Sequence, residues 1–392
     1  MRSANIFKTK LDNTMKIQKD KDKSISFIHS SDIHFGCQQY RNYYRSNDFI
    51  RAFQEILSLA ILHKVDFILL VGDVFTSLDI LPEKLNKIVK ILQNFKIDTN
   101  DSIPIIAIEG NHDLRKYTGG KSVNNGQSWL KFISNLGLII LLDADLTLSP
   151  DKMFPLYNFK IHNGGKIRIK NVMIYGSRFF GDRDGTYLKK IQAGIEKNEG
   201  FFNILLQHFG IEGQMQNVPG MKLQEVELLK DRVNYLALGH YHKQFILNDW
   251  IYNPGSSEAA CSIDYSYKRG VFLVEILEKG SYKKKIQNIR LNNRKHLWIT
   301  LNLPKQFKDQ QNLTRFMVRQ LKQQLKHLTS DLEPINPQMP ILYLRLEGKK
   351  PLKSCKINEK KLIHIICNKF PVVDVKIYQK FRNNLITLDN FF

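Results

Sequence analysis

The chain has 392 residues, 43% hydrophobic and 24% charged, the balance of a globular protein long enough for two or three domains. No apolar run approaches the roughly 18 residues of a membrane span, and the four cysteines (Cys37, Cys261, Cys355, Cys367) form no C-x-x-C pair, so neither a disulfide framework nor a zinc knuckle is indicated. The formal charge of +22 is uneven: residues 281–392 carry 23 Lys and Arg against 7 Asp and Glu, an excess suited to a polyanion, nucleic acid ahead of an anionic membrane.

Residues 1–24 are polar and lysine-rich, lack the apolar core of a secretion signal, and read as a flexible leader. Then come short apolar runs that end abruptly in polar, Gly-containing turns. "SISFIHSSD" is followed by a helical pattern in "DFIRAFQEILSLAILHK", "VDFILLVGD" by a second in "EKLNKIVKILQNF", and "IPIIAIEGNHD" by "NVMIYGSR", "FNILLQHFG", "NYLALGHYH" and "DWIYNPGS". Apolar residues in consecutive positions predict strands buried on both faces. Strand and helix alternate, which predicts an α/β core over residues 25–278, a layered sheet structure flanked by helices. After "EKGSYKKK" the pattern changes to the alternating "HLWITLNL" and "ILYLRLEG", with a basic amphipathic helix in "NLTRFMVRQLKQQLKHL" and a further helix and strand in "NEKKLIHIICNKF" and "VVDVKIY". These predict a smaller α+β domain over 290–380, then a tail from 381 to 392.

Polar residues collect at the ends of the buried runs: Asp32 and His34, Asp73, then Asn111, His112 and Asp113, His208, and finally His240 and His242. In α/β sheets ligands sit at the carboxyl ends of strands, and residues i and i+2 of a strand point to one side, so Asp32 and His34 can grip one object. Taken singly, a strand-end Asp is more often a turn cap, and a buried His a satisfied core residue. Five motifs in one order, each at a strand end, point instead to divalent metals. Two Asp, four His and one Asn suit manganese, zinc or iron better than a purely hard calcium site, and with Asp73 bridging, each of two metals receives four protein ligands. His29, His63, His162, His296, His327 and His364 are read as structural.

The order D-x-H, G-D, G-N-H-D, H, G-H-x-H resembles the calcineurin-like metallophosphoesterase superfamily, whose fold is a β-sandwich core flanked by helices. That resemblance implies that Asp32, His34, Asp73 and His242 hold one metal and Asp73, Asn111, His208 and His240 the other. His112 would be catalytic, steadied by Asp113, with a metal-activated water as nucleophile. The wider stretches "IHSSDIHFG", "LLVGDVF", "IPIIAIEGNHD", "VNYLALGHYHK", "IYNPGSSE" and "KRGVFLVEI" resemble the DNA repair exonucleases of the SbcD type, which include the meiotic recombination eleven nucleases. The resemblance implies a manganese-dependent nuclease of DNA double-strand-break repair, with 3′-to-5′ exonuclease activity on double strands and endonuclease activity on single strands. It also implies a homodimer, an SbcC or Rad-fifty-like ATPase partner and a DNA-capping role for 290–380; the scattered cysteines suit a reducing cytosol, and so a cytoplasmic location. The sequence departs from the family at Thr76, where relatives often have a second histidine, and in its ending "NNLITLDNFF", where relatives continue into an ATPase-gripping segment.

Candidate DNA contacts are Tyr40, Arg41, Tyr44 and Arg45 in "QQYRNYYRSND", Arg178 in "SRFFGDRDGTY", and Arg315, Arg319 and Lys322 at helical spacing; arginines would hold phosphates while aromatics stack on bases of a frayed end. Two rivals stand beside the nuclease. A phosphatase or cyclic-nucleotide phosphodiesterase acting on small substrates has no need of so basic a C-terminal third, and a non-catalytic scaffold would not keep all seven ligands and His112.

Overall fold

The protein is described by a computed structural model over residues 24–381, apart from 115–116, 119–120, 123–127, 182–184, 198–199, 280, 305–306, 327, 329–332 and 349–356. The expected leader and tail lie outside the described residues, save Ser24 and Phe381. So do the centre of the "SRFFGDRDGTY" loop, Cys355 and His327.

The order of elements begins β1 (Ser24–Ser30), α1 (Tyr43–His63), β2 (Phe67–Val71), α2 (Pro82–Asp98) and β3 (Ile105–Ile108). A short hairpin, β4 (Tyr117–Thr118) and β5 (Lys121–Ser122), precedes α3 (Trp129–Asn135) and β6 (Ile140–Leu141). The second half of the large unit holds β7 (Lys166–Ile169), β8 (Val172–Gly176), α4 (Thr186–Gly194), β9 (Phe202–Gln207), α5 (Leu223–Val226), β10 (Tyr235–Leu238), β11 (Phe245–Leu247) and β12 (Ile251–Asn253). The chain then returns through β13 (Val271–Lys279) and β14 (Ser281–Ile289) to the first half.

Two six-stranded sheets result, ordered β14-β13-β1-β2-β3-β6 and β11-β12-β10-β9-β8-β7. They pack face to face with helices outside, and the pleat explains why the runs are apolar at every position. Phe27, Phe67, Leu69, Val71, Ile106 and Ile108 face Ile204, Leu206, Tyr235 and Tyr252 of the opposite sheet. Their neighbours Ile28, Ile68, Leu70 and Ala107 point outward to Phe53, Ile56, Ile88 and Leu92 of α1 and α2. Leu205, Leu236 and Leu238 do the same on the far side. Burying both faces takes water from every side chain of the strand, about 1.5–3 kcal/mol for each large one. His29, read as structural, lies in this core, its ring hydrogen-bonded to Tyr235 Oη (2.9 Å) and to the Leu238 carbonyl (3.1 Å).

The first unit extends beyond residue 278. β14 pairs antiparallel with β13 and forms the edge of the first sheet. Its consecutive Lys283, Lys284 and Lys285 read as part of the basic region, and on an edge strand such charge discourages pairing with another chain.

The smaller unit comprises β15 (His296–Leu303), α6 (Gln310–Gln324), β16 (Ile341–Gly348), α7 (Glu359–Lys369) and β17 (Asp374–Phe381), with the three strands parallel in chain order. Ile299, Leu301 and Leu303 join Leu342, Leu344 and Leu346 against Leu313, Met317, Leu321, Leu362 and Ile366 of the two helices. Both helices therefore cover one face of the sheet and leave the other toward the larger unit.

Buried charge joins the units. Asp48 of α1 accepts from Arg294, which precedes β15, through Nε (2.6 Å) and Nη2 (2.8 Å), and from Arg45 Nη1 (2.6 Å). Arg294 also donates to the carbonyls of Pro334 (2.8 Å) and Met339 (2.6 Å), in the segment that leads into β16. Glu258, fully buried, accepts from the Arg294 amide (3.2 Å) and lies 3.4 Å from Arg45 Nη2. Burial pushes the Glu258 carboxyl up, but Arg45 and Arg269 outweigh it and hold the group at about 2. Asp48→Ala leaves two buried guanidinium groups without their carboxylate and should cost about 3–5 kcal/mol; urea unfolding that shifts by less than about 1 kcal/mol would show that the junction is not held by this pair.

Candidate metal centre

The strands β1, β2 and β3 of one sheet and β9 and β10 of the other end at a common rim, and the chain beyond each end carries the polar motifs. Among the described residues, two groups have ligand atoms within 4.8 Å of one another: Asp32, His34 and His242, and Asp73, His208 and His240. Asn111 joins the second, its Oδ1 3.0 Å from His240 Nδ1. The structure thus brings all seven candidate residues to one rim, with Asp73, expected in both sets, grouped with His208 and His240.

The strand pleat does not bring them there. β1 ends at Ser30, and Asp32 (φ 52°), His34 (φ 54°), Asp73 (φ 49°) and His240 (φ 79°) all adopt left-handed backbone. Such residues are costly, of order 1–3 kcal/mol each, but the turns aim successive side chains at one point within a few residues of leaving the sheet. Glycine precedes three of the motifs because the turns crowd each other. A Cβ on Gly110 would lie 2.2 Å from Asp73 Oδ1, and one on Gly239 2.1 Å from the Val71 carbonyl.

The cup is deep. Asp32, His34, Asp73 and His208 are buried, His240, His242 and Asn111 are half-buried, and His112 stands exposed on the rim. Asp32 Oδ1 is buried without a hydrogen-bond partner, a costly state that a cation in the cup would relieve. Neighbours present the right nitrogens. The Val71 carbonyl meets His208 Nδ1 (2.8 Å) and the Asp264 carboxylate meets His242 Nδ1 (2.8 Å), which leaves Nε2 of each ring for a metal. The Nε2 atoms of His34 and His242 are 3.0 Å apart, as two ligands of one ion can be. The donor set therefore fits two divalent cations.

Charge is distributed unevenly in the cup. Burial, helped by neighbouring imidazoles, lowers His34 and His240 to about 3, so both are neutral and ready to coordinate. Burial would lower His208 too, but the Asp73 and Asp32 carboxylates and the Val71 carbonyl lift it to about 10. Asp73, 3.2 Å from His208 Nε2, is held well below the carboxylate range: burial opposes this, and the His208 charge and hydrogen bond prevail. Asp32 moves up because burial outweighs the pull of His208 and His242. Without metal, the cup is neutralised by protons on imidazoles.

His112 and Asp113 take different places. The His112 amide donates to Asp73 Oδ1 (2.8 Å), and its ring Nδ1 meets the Thr76 carbonyl (2.9 Å). The Asp113 carboxylate, expected to steady His112, instead accepts the amides of Phe75 (2.8 Å), Gly110 (2.9 Å) and Val74 (3.3 Å). It pins the loops after β2 and β3 together, and so positions Asp73 and His112 from behind. Thr76, where relatives often have histidine, orients the His112 ring through its main chain.

The expected DNA contacts divide. Arg45 is fully buried, bonded to Gln39, Asp48 and the Ala259 carbonyl, so it belongs to the junction between units and is not available to DNA. Its segment is the start of α1, capped by Asn42, whose side chain accepts the Tyr44 amide. Arg41 and Tyr44 are exposed, while Tyr40 hydrogen-bonds Tyr343 of the smaller unit (2.8 Å). Arg178 is clamped by both oxygens of Asp143. Arg315, Arg319 and Lys322 are exposed on α6, but that helix packs on the sheet face remote from the cup, so the expected phosphate-tracking row points away from it.

Residues without a motif complete the site. Asp264 orients His242, and Phe179 stacks on His240 with centroids 5.9 Å apart. "CSIDYSY" offers no spacing that would single out Asp264; only the fold brings it to His242.

Over residues 25–244 the chain matches the calcineurin-like phosphoesterase family. It is similar to the DNA double-strand break repair protein Mre11 of Sulfurisphaera tokodaii, 25% identical over 339 residues that cover 85% of this chain and 76% of that one. With the protein of the same name from Saccharolobus solfataricus it is 25% identical over 360 residues, 91% of this chain and 81% of the relative. With that of Archaeoglobus fulgidus it is 26% identical over 220 residues, and the match spans 46% of the relative's length.

A cation in the cup must displace the His208 proton, because its Nε2 cannot bear a proton and coordinate at once. Below about 10, where His208 is charged, loading should release protons and affinity should rise with pH, roughly tenfold per unit for each proton displaced. Calorimetric titration of metal-free protein with Mn2+ in two buffers of different ionisation heat measures this; heats independent of buffer would refute the protonated cup.

Proposed function

The chain belongs to the calcineurin-like phosphoesterase family, and on that premise we propose that it is a metal-dependent DNA nuclease of double-strand-break repair. The observation that carries the reading is the cup itself, with two ligand groups side by side beneath the exposed His112. The naming of the relatives as double-strand break repair proteins supports DNA as substrate, as does the excess of basic residues over 281–392.

Asp32, His34 and His242 would hold one cation and Asp73, Asn111, His208 and His240 the other, with Asp73 shared between them as the family resemblance implies; manganese suits this mixed imidazole and carboxylate set. Two such cations supply Lewis-acid polarisation of the phosphate and a nucleophile from water at neutral pH. The protein's own groups do the rest. With Nδ1 held by the Thr76 carbonyl, His112 has Nε2 left for substrate, where the protonated ring can stabilise charge on a phosphate oxygen and protonate the leaving oxygen. Asp113 acts at one remove, as a positioning residue. The double-strand exonuclease and single-strand endonuclease activities, a homodimer and an SbcC or Rad-fifty-like ATPase partner complete the proposal, on the strength of the family resemblance.

His112→Ala should lower Mn2+-dependent cleavage of labelled duplex DNA by about 10²–10⁴-fold, with binding to the same duplex retained in EDTA. Unchanged cleavage would remove His112 from the chemistry. Duplex affinity should also fall steeply as salt rises, the logarithmic slope reporting the number of phosphates contacted; a flat response would count against lysine and arginine contacts.

A further inference from the structure

The sheet face that α6 and α7 leave bare is built from rings and cations. Across the strands Trp298 lies beside Tyr343 and Tyr343 beside Lys376, and in the next row of that face Arg345 lies beside Tyr378. Trp298 stacks with Tyr343 (centroids 4.8 Å, planes 23° apart) and with Tyr378 (5.3 Å, 18°). The larger unit adds Tyr265, 5.3 Å from Trp298, and Tyr40, over whose ring Lys376 Nζ stands at 4.3 Å. Tyr343, at the centre, is fully buried in the seam with the larger unit, but Trp298 and Tyr265 remain 39% and 40% exposed.

We propose that this face is a stacking platform for unpaired nucleobases, the occupant being a single-stranded DNA segment; it rests on the nuclease reading and deepens it. The chemistry argues for that occupant. Every base offers a π-face to an exposed aromatic, and Lys376 and Lys380, four apart on β17, stand on the same side of the sheet where a phosphate backbone would run. Lys380 is exposed. The route from the cup is short. Five residues separate His34 from Tyr40, and Asp264, which holds His242, is followed directly by Tyr265. A strand lying across the platform therefore has its neighbouring phosphates beside the metal cup. In this arrangement the smaller unit sorts frayed from paired ends through its aromatic face, not through α6.

The test uses full-length protein in EDTA, so that binding is read without cleavage. Labelled oligo(dT) and an abasic deoxyribose-phosphate oligomer of equal length are compared by anisotropy, with tryptophan fluorescence as a second readout. Oligo(dT) should quench tryptophan emission and bind about tenfold or more tighter than the abasic oligomer. Trp298→Ala and, on the other unit, Tyr265→Ala should each erase most of that preference, while Trp129→Phe, distant in the fold, should keep the quenching. Equal binding of the two oligomers by the unmodified protein, or a preference that survives both substitutions, overturns the platform. Should the face serve a protein partner instead, oligo(dT) leaves the emission unchanged, which also overturns it. Duplex DNA bound and cut normally alongside either result confines the failure to the platform, whereas a protein that binds no DNA of any kind takes the nuclease reading down as well.

Discussion

Two carboxylates, Asp32 and Asp73, are buried side by side at the bottom of one cup, and a buried carboxylate demands positive charge. Without metal, that demand is met by the His208 proton, which Asp73 and Asp32 hold on the ring up to about 10. Much of the surrounding architecture serves this arrangement. Left-handed turns at four ligands aim the side chains inward, glycines clear the space, and the loop-pinning carboxylate of Asp113 accepts three amides to fix where Asp73 stands. The β-sandwich contributes by being rigid on both faces, so that the backbone strain stored at the rim cannot relax into the strands.

The same economy of buried charge links the two units. Asp48 and Glu258 are shared among Arg45, Arg294, Arg51 and Arg269, and the carbonyls before β16 take the remaining donors of Arg294. A guanidinium has five donors in a fixed fork, so the bonds of Arg294 to Asp48 and to the carbonyls of Pro334, Asn336 and Met339 fix the orientation of the smaller unit. Its aromatic face is thereby set beside Tyr265 and Tyr40, close in sequence to His242's partner Asp264 and to His34. Short pieces of chain thus run from the seam with the smaller unit to the residues of the cup.

Several residues show how local pattern and tertiary context diverge. "YRNYYR" has the alternation of rings and arginines that suits nucleic acid, but Arg45 has become a core residue because Asp48 and Glu258 meet it there. Arg315, Arg319 and Lys322 do form one exposed helical row, as their spacing requires, yet the right-handed crossovers of three parallel strands place that helix on the remote side of the sheet. Trp298, Tyr343 and Tyr378 carry no motif at all. Alternation marked them as the half-buried side of their strands, and their meeting depends on pairing between segments tens of residues apart.

The sequence by itself determined the buried strands, the two main helices of the first half, the division between a sandwich and a small basic unit, and the seven residues that meet in the cup, because runs of apolar residues and polar strand ends are local properties of the chain. The tertiary structure alone decided how the ligands converge, through left-handed turns and not through the pleat. It assigned Asp113 to the backbone and Thr76 to His112, brought Asp264 to His242, and set one face of the smaller unit against Tyr40 and Tyr265. Those outcomes depend on which distant groups satisfy a buried charge or a ring nitrogen, and no spacing along the chain encodes a partner two hundred residues away.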